Sequence, residues 1–280
     1  MGDRSKYNKQ EKKKKEVPAI IKYGKRRYSG PRKQLTVGTE VPDEEFIRLN
    51  KYIAQGGVCS RREADKMIEL GAISVNGKTV TELGTKIRRT DKVQYAGDTI
   101  KNEKKVYILL NKPKNFICTL DDPQRRRTIM DLVKSACKER IYPVGRLDRA
   151  TMGVILLTND GDLSKKLTHP KHEVKKIYQI TTDQAVSVEH FQKIAEGIKL
   201  DDGFIKPDEI AWTKGDSRTE LGMEIHSGKN RIVRRIFEHF GYKIIKLDRV
   251  YFGGLTKKSV LRGKWKFLDE KEIRMLKMLG

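Results

Sequence analysis

Three cysteines in 280 residues, Cys59, Cys118 and Cys137, are too few and too far apart for a disulfide framework. Neither Cys-x-x-Cys nor Cys/His ligand spacing occurs among them, so reduced thiols and no structural metal are expected. His169 and His172 form a local pair with no further ligands around it, and Asp121-Asp122 precede Pro123 without a third carboxylate at metal-site spacing. No stretch approaches the roughly 18 apolar residues needed to cross a bilayer, and the N-terminal residues lack the apolar core of a secretory signal. A cytoplasmic protein without a membrane partner is the expectation. The lysine and glycine spacing of a P-loop is missing, no strand precedes Gly-x-Gly-x-x-Gly, and no tandem repeat is present.

Negative charge is scarce too. The chain has 37 Asp plus Glu against 61 Lys plus Arg, a formal charge of +24 and a pI near 9.8, while 37% of it is hydrophobic. Such a chain has a foldable core and a surface that attracts polyanions. Its length suits one domain of ordinary size plus a smaller module, or two moderate domains.

Three parts follow from the pattern. Residues 1–45 include Lys12 to Lys15, Lys25-Arg26-Arg27 and Arg32-Lys33 with few large apolar groups between them. This segment cannot bury enough surface to offset its ordering entropy, and it reads as a disordered basic tail with a nonspecific grip on nucleic acid. In the second part, residues 46–105, Leu49, Tyr52 and Ile53 share a helical face. After Gly56-Gly57, Ser60-Arg61-Arg62-Glu63 has capping-box spacing, Ala64, Met67 and Ile68 form the next apolar stripe, and Gly71 can terminate it. Ile73-Ser74-Val75 then leads into Asn76-Gly77, a hairpin turn, with Val80 on the return. Arg61 and Arg62 in the first turn of a helix oppose its dipole, so phosphate contact explains them better than local stability does.

Arg48-Leu49-Asn50-Lys51-Tyr52, Ser60-Arg61-Arg62-Glu63-Ala64 and Val75-Asn76-Gly77 closely resemble the alpha-L motif, a small RNA-binding module first recognised in a protein of the small ribosomal subunit. The resemblance implies that Lys51, Arg61 and Arg62 meet phosphates of structured RNA. It does not identify a reaction, since a similar module occurs in unrelated enzymes.

The third part, residues 106–280, opens with the strand pattern Val106 to Leu110, closed by Asn111-Lys112-Pro113. Gly153 to Thr158 is a near-continuous apolar strand, either buried on both faces or packed beneath an active surface, ending at Asn159-Asp160-Gly161. Further strands are expected over 175–181, 219–226 and 243–252, and helices over 187–197, 229–240 and 269–278. The irregular order indicates an α+β domain. In the helix over 229–240, Ile232, Val233, Ile236, Phe237 and Phe240 face a core, and Arg231, Arg234 and Arg235 lie on the adjacent face. Asp148, in the polar turn before the apolar strand, is an acid that needs an explanation in so basic a chain.

Gly145-Arg146-Leu147-Asp148, with Thr151, Gly153 and Leu156 to Gly161, resembles the active-site signature of RNA pseudouridine synthases that modify ribosomal uridines. Lys176-Ile177-Tyr178 is similar to the second motif of that family, and Gly228-Lys229-Asn230-Arg231 through Arg234-Arg235 to the third. The family implies an α+β catalytic domain on a mixed, largely antiparallel bent sheet with flanking helices. It implies isomerisation of uridine to its carbon-linked form in ribosomal RNA, with the large-subunit branch somewhat closer. The same reaction on small-subunit or other structured RNA, and a noncatalytic ribosome-assembly role, stand as alternatives.

By this resemblance Asp148 is the essential carboxylate, acting as nucleophile at the sugar or as base at its two-prime carbon. Neither route needs a cofactor. Arg234 is the active-site arginine that favours the ionised carboxylate and orients its oxygens, and Tyr178 stacks on the extracted uracil. Arg146 and Arg149 hold phosphates while the base leaves its stack. Asn230, Arg231 and Arg235 belong to the same RNA-contacting set, and Leu247 is the apolar pocket contact followed by Arg249. Lys112 and Pro113 shape the pocket rim. Ile232 stands where the family commonly has glutamine, and Ser227 where it often has an acid. Monomeric action is expected, because neither module needs a repeated partner to complete its site.

Overall fold

The computed structural model describes residues 46–213 and 217–279, and the basic tail lies outside them. The first described part is built from two short helices, Leu49–Gln55 and Arg61–Glu69. Ser60 and Glu63 close a reciprocal capping box on the second. That helix ends where Gly71, at φ +68°, lets the amides of Gly71 and Ala72 turn back to the carbonyls of Ile68 and Met67. Strand Ile73–Val75 follows, and Asn76 and Gly77, both at positive φ, return the chain in a tight hairpin. Leu49, Tyr52, Ile53, Ala64, Ile68 and Ile73 share one small core, with Met67 at its edge.

The rest of the chain is organised by a nine-stranded sheet. Its main path runs Glu209–Trp212, Glu220–Ile225, Lys176–Thr182, Ile244–Phe252, Met152–Thr158, Tyr107–Lys112, Trp265–Phe267. Every neighbouring pair is antiparallel except Ile244–Phe252 with Met152–Thr158. Strand Met152–Thr158 is buried on both faces: Val154 and Leu156 enter one core, Ile155 and Leu157 another. Near-continuous hydrophobicity is the signature of such a strand. A third core under the other half of the sheet collects Ile180, Leu221, Met223 and Leu247 with Ile232, Val233, Ile236 and Phe237 of helix Ile232–Glu238.

That helix begins three residues later than the expected start at 229. Arg231 adopts a left-handed conformation, φ 47°, which ends the preceding loop rather than opening a helix. Helices Val188–Glu196 and Glu270–Met278 match the expected ranges to within a residue. Helix Gly161–Thr168, not foreseen from the pattern, is started by the Asp160 carboxylate accepting from the Leu163 amide.

Candidate active site

The turn carrying Asp148 is held from below. Lys112, fully buried on the strand Tyr107–Lys112, donates its ammonium to the carbonyls of Asp148 (3.1 Å), Arg149 (3.4 Å), Thr151 (2.7 Å) and Pro113 (3.1 Å). Burial lowers its pKa to about 8, opposed by the nearby Cys118 and Asp148. The Leu147 side chain tucks into the core while its amide meets Cys118 Sγ at 3.4 Å. Pinned at both ends, the turn leaves the Asp148 side chain about one-third exposed, at 36%.

Arg234 approaches that carboxylate from helix Ile232–Glu238. Its Nε lies 3.9 Å from Asp148 Oδ2, an ion pair without a hydrogen bond, and its Nη1 is fixed to the Ile244 carbonyl at 3.0 Å. The guanidinium is buried, which lowers its pKa, with Asp148 pulling the other way. Nε has no hydrogen-bond partner among the described residues.

Asp148, Arg234 and Tyr178 line one cleft of about 170 Å³, with Leu247, Arg146 and Arg231 also on its wall. Tyr178 is half-buried and packs against two of the cores. Leu247 is both a core residue and part of the lining. Among the described residues, Asp148 is the only carboxylate in a wall that otherwise bears Arg146, Lys176, Lys229, Arg231, Arg234 and Arg249. An adjoining groove includes Arg149, Asn230 and Arg126, and shares Arg146, Asp148 and Arg231 with the cleft. Arg146, Arg149, Asn230 and Arg231 are exposed, and Arg231 also pairs with Glu238 at 2.8 Å.

Three of the expected RNA contacts are placed differently. Lys112 lies under the Asp148 turn instead of at the rim, because four carbonyl oxygens claim its ammonium. Arg235 makes a bidentate pair with Asp202 at 2.9 and 2.7 Å, at the tip of the hairpin formed by Ile198–Leu200 and Gly203–Ile205. Lys51 pairs with Asp162 at 2.6 Å, joining the small helical module to helix Gly161–Thr168. Arg61 and Arg62 are exposed, with Arg61 Nη2 3.4 Å from the Asn50 side-chain oxygen.

Two pocket cations, Lys176 and Arg249, had been noted only as parts of motifs. Lys176 precedes Tyr178 by two residues and Arg249 follows Leu247 by two, so strand alternation places each on the face of an expected site residue. Gly153 was read within the signature without its reason. It has φ +107°, and a Cβ there would lie 2.1 Å from the Arg249 carbonyl oxygen and 2.6 Å from its amide nitrogen. Only glycine allows the parallel pair to close at that point.

Comparison with known proteins matches both parts of the chain. The family described as RNA pseudouridylate synthase matches residues 106–239, and the S4 domain matches residues 47–93. A Bacillus subtilis (strain 168) protein named ribosomal large subunit pseudouridine synthase B is 38% identical, over 83% of this chain and 96% of its own length. An Aquifex aeolicus relative named as an uncharacterized RNA pseudouridine synthase is 37% identical, over 82% and 93%. Escherichia coli (strain K12) dual-specificity RNA pseudouridine synthase RluF is 34% identical, over 83% and 79%. A solved structure described as a pseudouridylate synthase superposes with a TM-score of 0.59 at 29% identity, covering 82% of this chain and 99% of that one.

Proposed function

The chain belongs to the RNA pseudouridine synthase family, with an S4 domain ahead of the catalytic part, and on that premise we propose that it isomerises uridine in large-subunit ribosomal RNA through Asp148. The observation that carries the assignment of Asp148 is its position as the sole carboxylate, among the described residues, of a basic cleft, 3.9 Å from Arg234 and on the same wall as Tyr178. The name of the Bacillus subtilis relative supports large-subunit RNA as the substrate.

A cleft of this size excludes a base-paired stem, so the target nucleotide is flipped out at a cost of about a few kcal/mol. Exposed Arg146, Arg149, Asn230 and Arg231 receive the flanking phosphates, and Tyr178 with Leu247 sandwiches the uracil. Asp148 then acts on the sugar. As nucleophile it bonds to C1′ while the C1′–N1 electron pair leaves with the base; as base it removes the C2′ proton to the same end. The freed ring rotates and C5 bonds to C1′ as the Asp148–C1′ bond breaks or, on the elimination route, as the proton returns to C2′; C5 then loses its proton and N1 gains one. Arg234, fixed by the Ile244 carbonyl, keeps its charge against the carboxylate throughout. Arg61 and Arg62 on the S4 part add a second phosphate contact.

The name of the Escherichia coli relative, dual-specificity, favours one second reading: another structured RNA serves as an additional substrate. Both readings are tested by tritium release from RNA labelled at uracil C5, using large-subunit RNA and then other structured RNAs. Wild type is expected to release tritium from large-subunit RNA and Asp148→Ala to release none while still folding and binding. Equal release by both proteins rejects Asp148, and release only from another RNA moves the substrate assignment there.

A further inference from the structure

Arg249 is an unusual wall for an active-site cleft. It is 3% exposed, yet its Nη2 has no protein partner among the described residues. The rest of the group is held: Nε donates to the Val154 carbonyl at 2.8 Å, and the guanidinium carbon lies 4.7 Å from the Phe252 ring centroid. The backbone is fixed as well, because Arg249 pairs with Tyr178 on one side and with Gly153 on the other. A buried, charged donor that is rigidly placed and unmet is costly unless an acceptor arrives during function.

Lys176 lines the same cleft. Its ammonium donates to the carbonyls of Val174 (2.8 Å) and His226 (2.5 Å). Burial brings its pKa down to about 8, with Arg249 pushing the same way and Asp208 the other. Two cations in one cleft whose only carboxylate among the described residues is already opposite Arg234 call for an anion.

We propose that Arg249, with Lys176 beside it, binds the uracil itself: Nη2 donates to a ring carbonyl oxygen, and the two cations hold the negative charge of the detached base. This deepens the reading of the chain as a uridine isomerase and rests on it. When the C1′–N1 bond breaks, its electron pair stays on N1 and spreads to O2 and O4. The charge is discharged when C5 bonds to C1′, and the proton lost from C5 balances the one N1 gains, so no outside reactant is required. Donors mounted on two paired strands do not relax as the ring turns, which is the condition for stabilising a charge that exists only between bond breaking and bond making. Phosphate is the other anion of RNA, but Arg146, Arg149 and Arg231 stand exposed at the rim to meet it, whereas Arg249 is interior and neighbours Tyr178 and Leu247.

The test is single-turnover pseudouridine formation in a large-subunit RNA fragment carrying the mapped target, with that uridine replaced by 2-thiouridine or 4-thiouridine. Sulfur is a poor acceptor, so wild type should slow about 10- to 100-fold on one of the two thio fragments, the range of one hydrogen bond to a charged group. Arg249→Met should be slowed similarly on the normal fragment and lose nothing further on that thio fragment, with its RNA affinity unchanged. Arg249→Lys should recover part of the rate. If wild type handles both thio fragments as fast as uridine, the proposal is overturned, and this arm stands even should Arg249→Met not fold. A full thio penalty in Arg249→Met, or a loss confined to RNA affinity, also overturns it and points to phosphate. Wild type that makes no pseudouridine in the unmodified fragment overturns the functional reading and this proposal together, a result distinct from thio insensitivity in an active enzyme.

Discussion

Arg234 and Lys112 are two buried cations with opposite tasks around Asp148. Arg234 touches the carboxylate side of the site and is itself held by one carbonyl, that of Ile244. Replacing it by lysine keeps the charge and loses the fork, so Arg234→Lys should cut turnover by about 100-fold, the scale of a misplaced reacting group. It should cost only about 1–3 kcal/mol in stability, from the carbonyl left unmet. A urea melt and a single-turnover assay separate the two, and unchanged turnover would remove Arg234 from the chemistry. Lys112 acts on the backbone of the Asp148 turn, and its effect depends on pH. Folded, it titrates at about 8, below the ordinary 10.5 that the unfolded chain retains. Between those values the unfolded state binds more protons, so the Lys112 contribution to stability rises as pH increases through that window. Deprotonation there also takes donors from the Asp148, Arg149 and Thr151 carbonyls, so turnover should fall as stability rises. Comparing urea unfolding of wild type and Lys112→Met below about pH 8 and near about pH 10 should show the gap moving in favour of wild type. A gap that does not move with pH rejects this account.

Among the elements, the junction of the parallel pair decides whether the site forms. Gly153 lies against the Arg249 backbone, where a Cβ would sit 2.1 Å from a carbonyl oxygen that cannot swing away. Gly153→Ala should therefore cost more than about 3 kcal/mol, through strain at φ +107° and separation of the strands. Thermal denaturation checks this, and a melting point within a degree or two of wild type would show that the strands part without cost. The same junction shows what the sequence could and could not reveal. The strand Met152–Thr158 and the two short helices were legible because apolar periodicity and the Ser60–Glu63 box are local signals. Strand order was not, since neighbours such as Tyr107–Lys112 and Trp265–Phe267 are set by long-range pairing. Helix Gly161–Thr168 was missed because its start signal, Asp160, was read as the end of the strand before it. At the site, the family resemblance led to Asp148, Tyr178, Arg234 and Leu247, which line the same cleft. It could not show that Asp202 would occupy Arg235, or that carbonyls would surround Lys112, because those partners are distant in sequence.

For the whole molecule, the excess of 61 basic over 37 acidic residues needs more than an active site to explain it. The cleft uses a few cations, several of them buried, and buried groups contribute little to long-range attraction of RNA. Exposed Arg61 and Arg62 and the basic residues 1–40 are two further sources. Phosphate contacts release counterions, so their contribution appears in the salt dependence of binding and not in the rate of chemistry once RNA is bound. Arg61→Glu with Arg62→Glu should lower the slope of log affinity against log salt by about 2, roughly one per phosphate contact, and leave saturated turnover unchanged. Removing residues 1–40 should weaken binding mainly at low salt, also without changing saturated turnover. If either change lowers turnover at saturating RNA, that region positions the target uridine in the cleft as well as holding the RNA. If neither alters affinity across a salt titration, the grip resides in other exposed cations, first among them those beside Asp148: Arg146, Arg149 and Arg231.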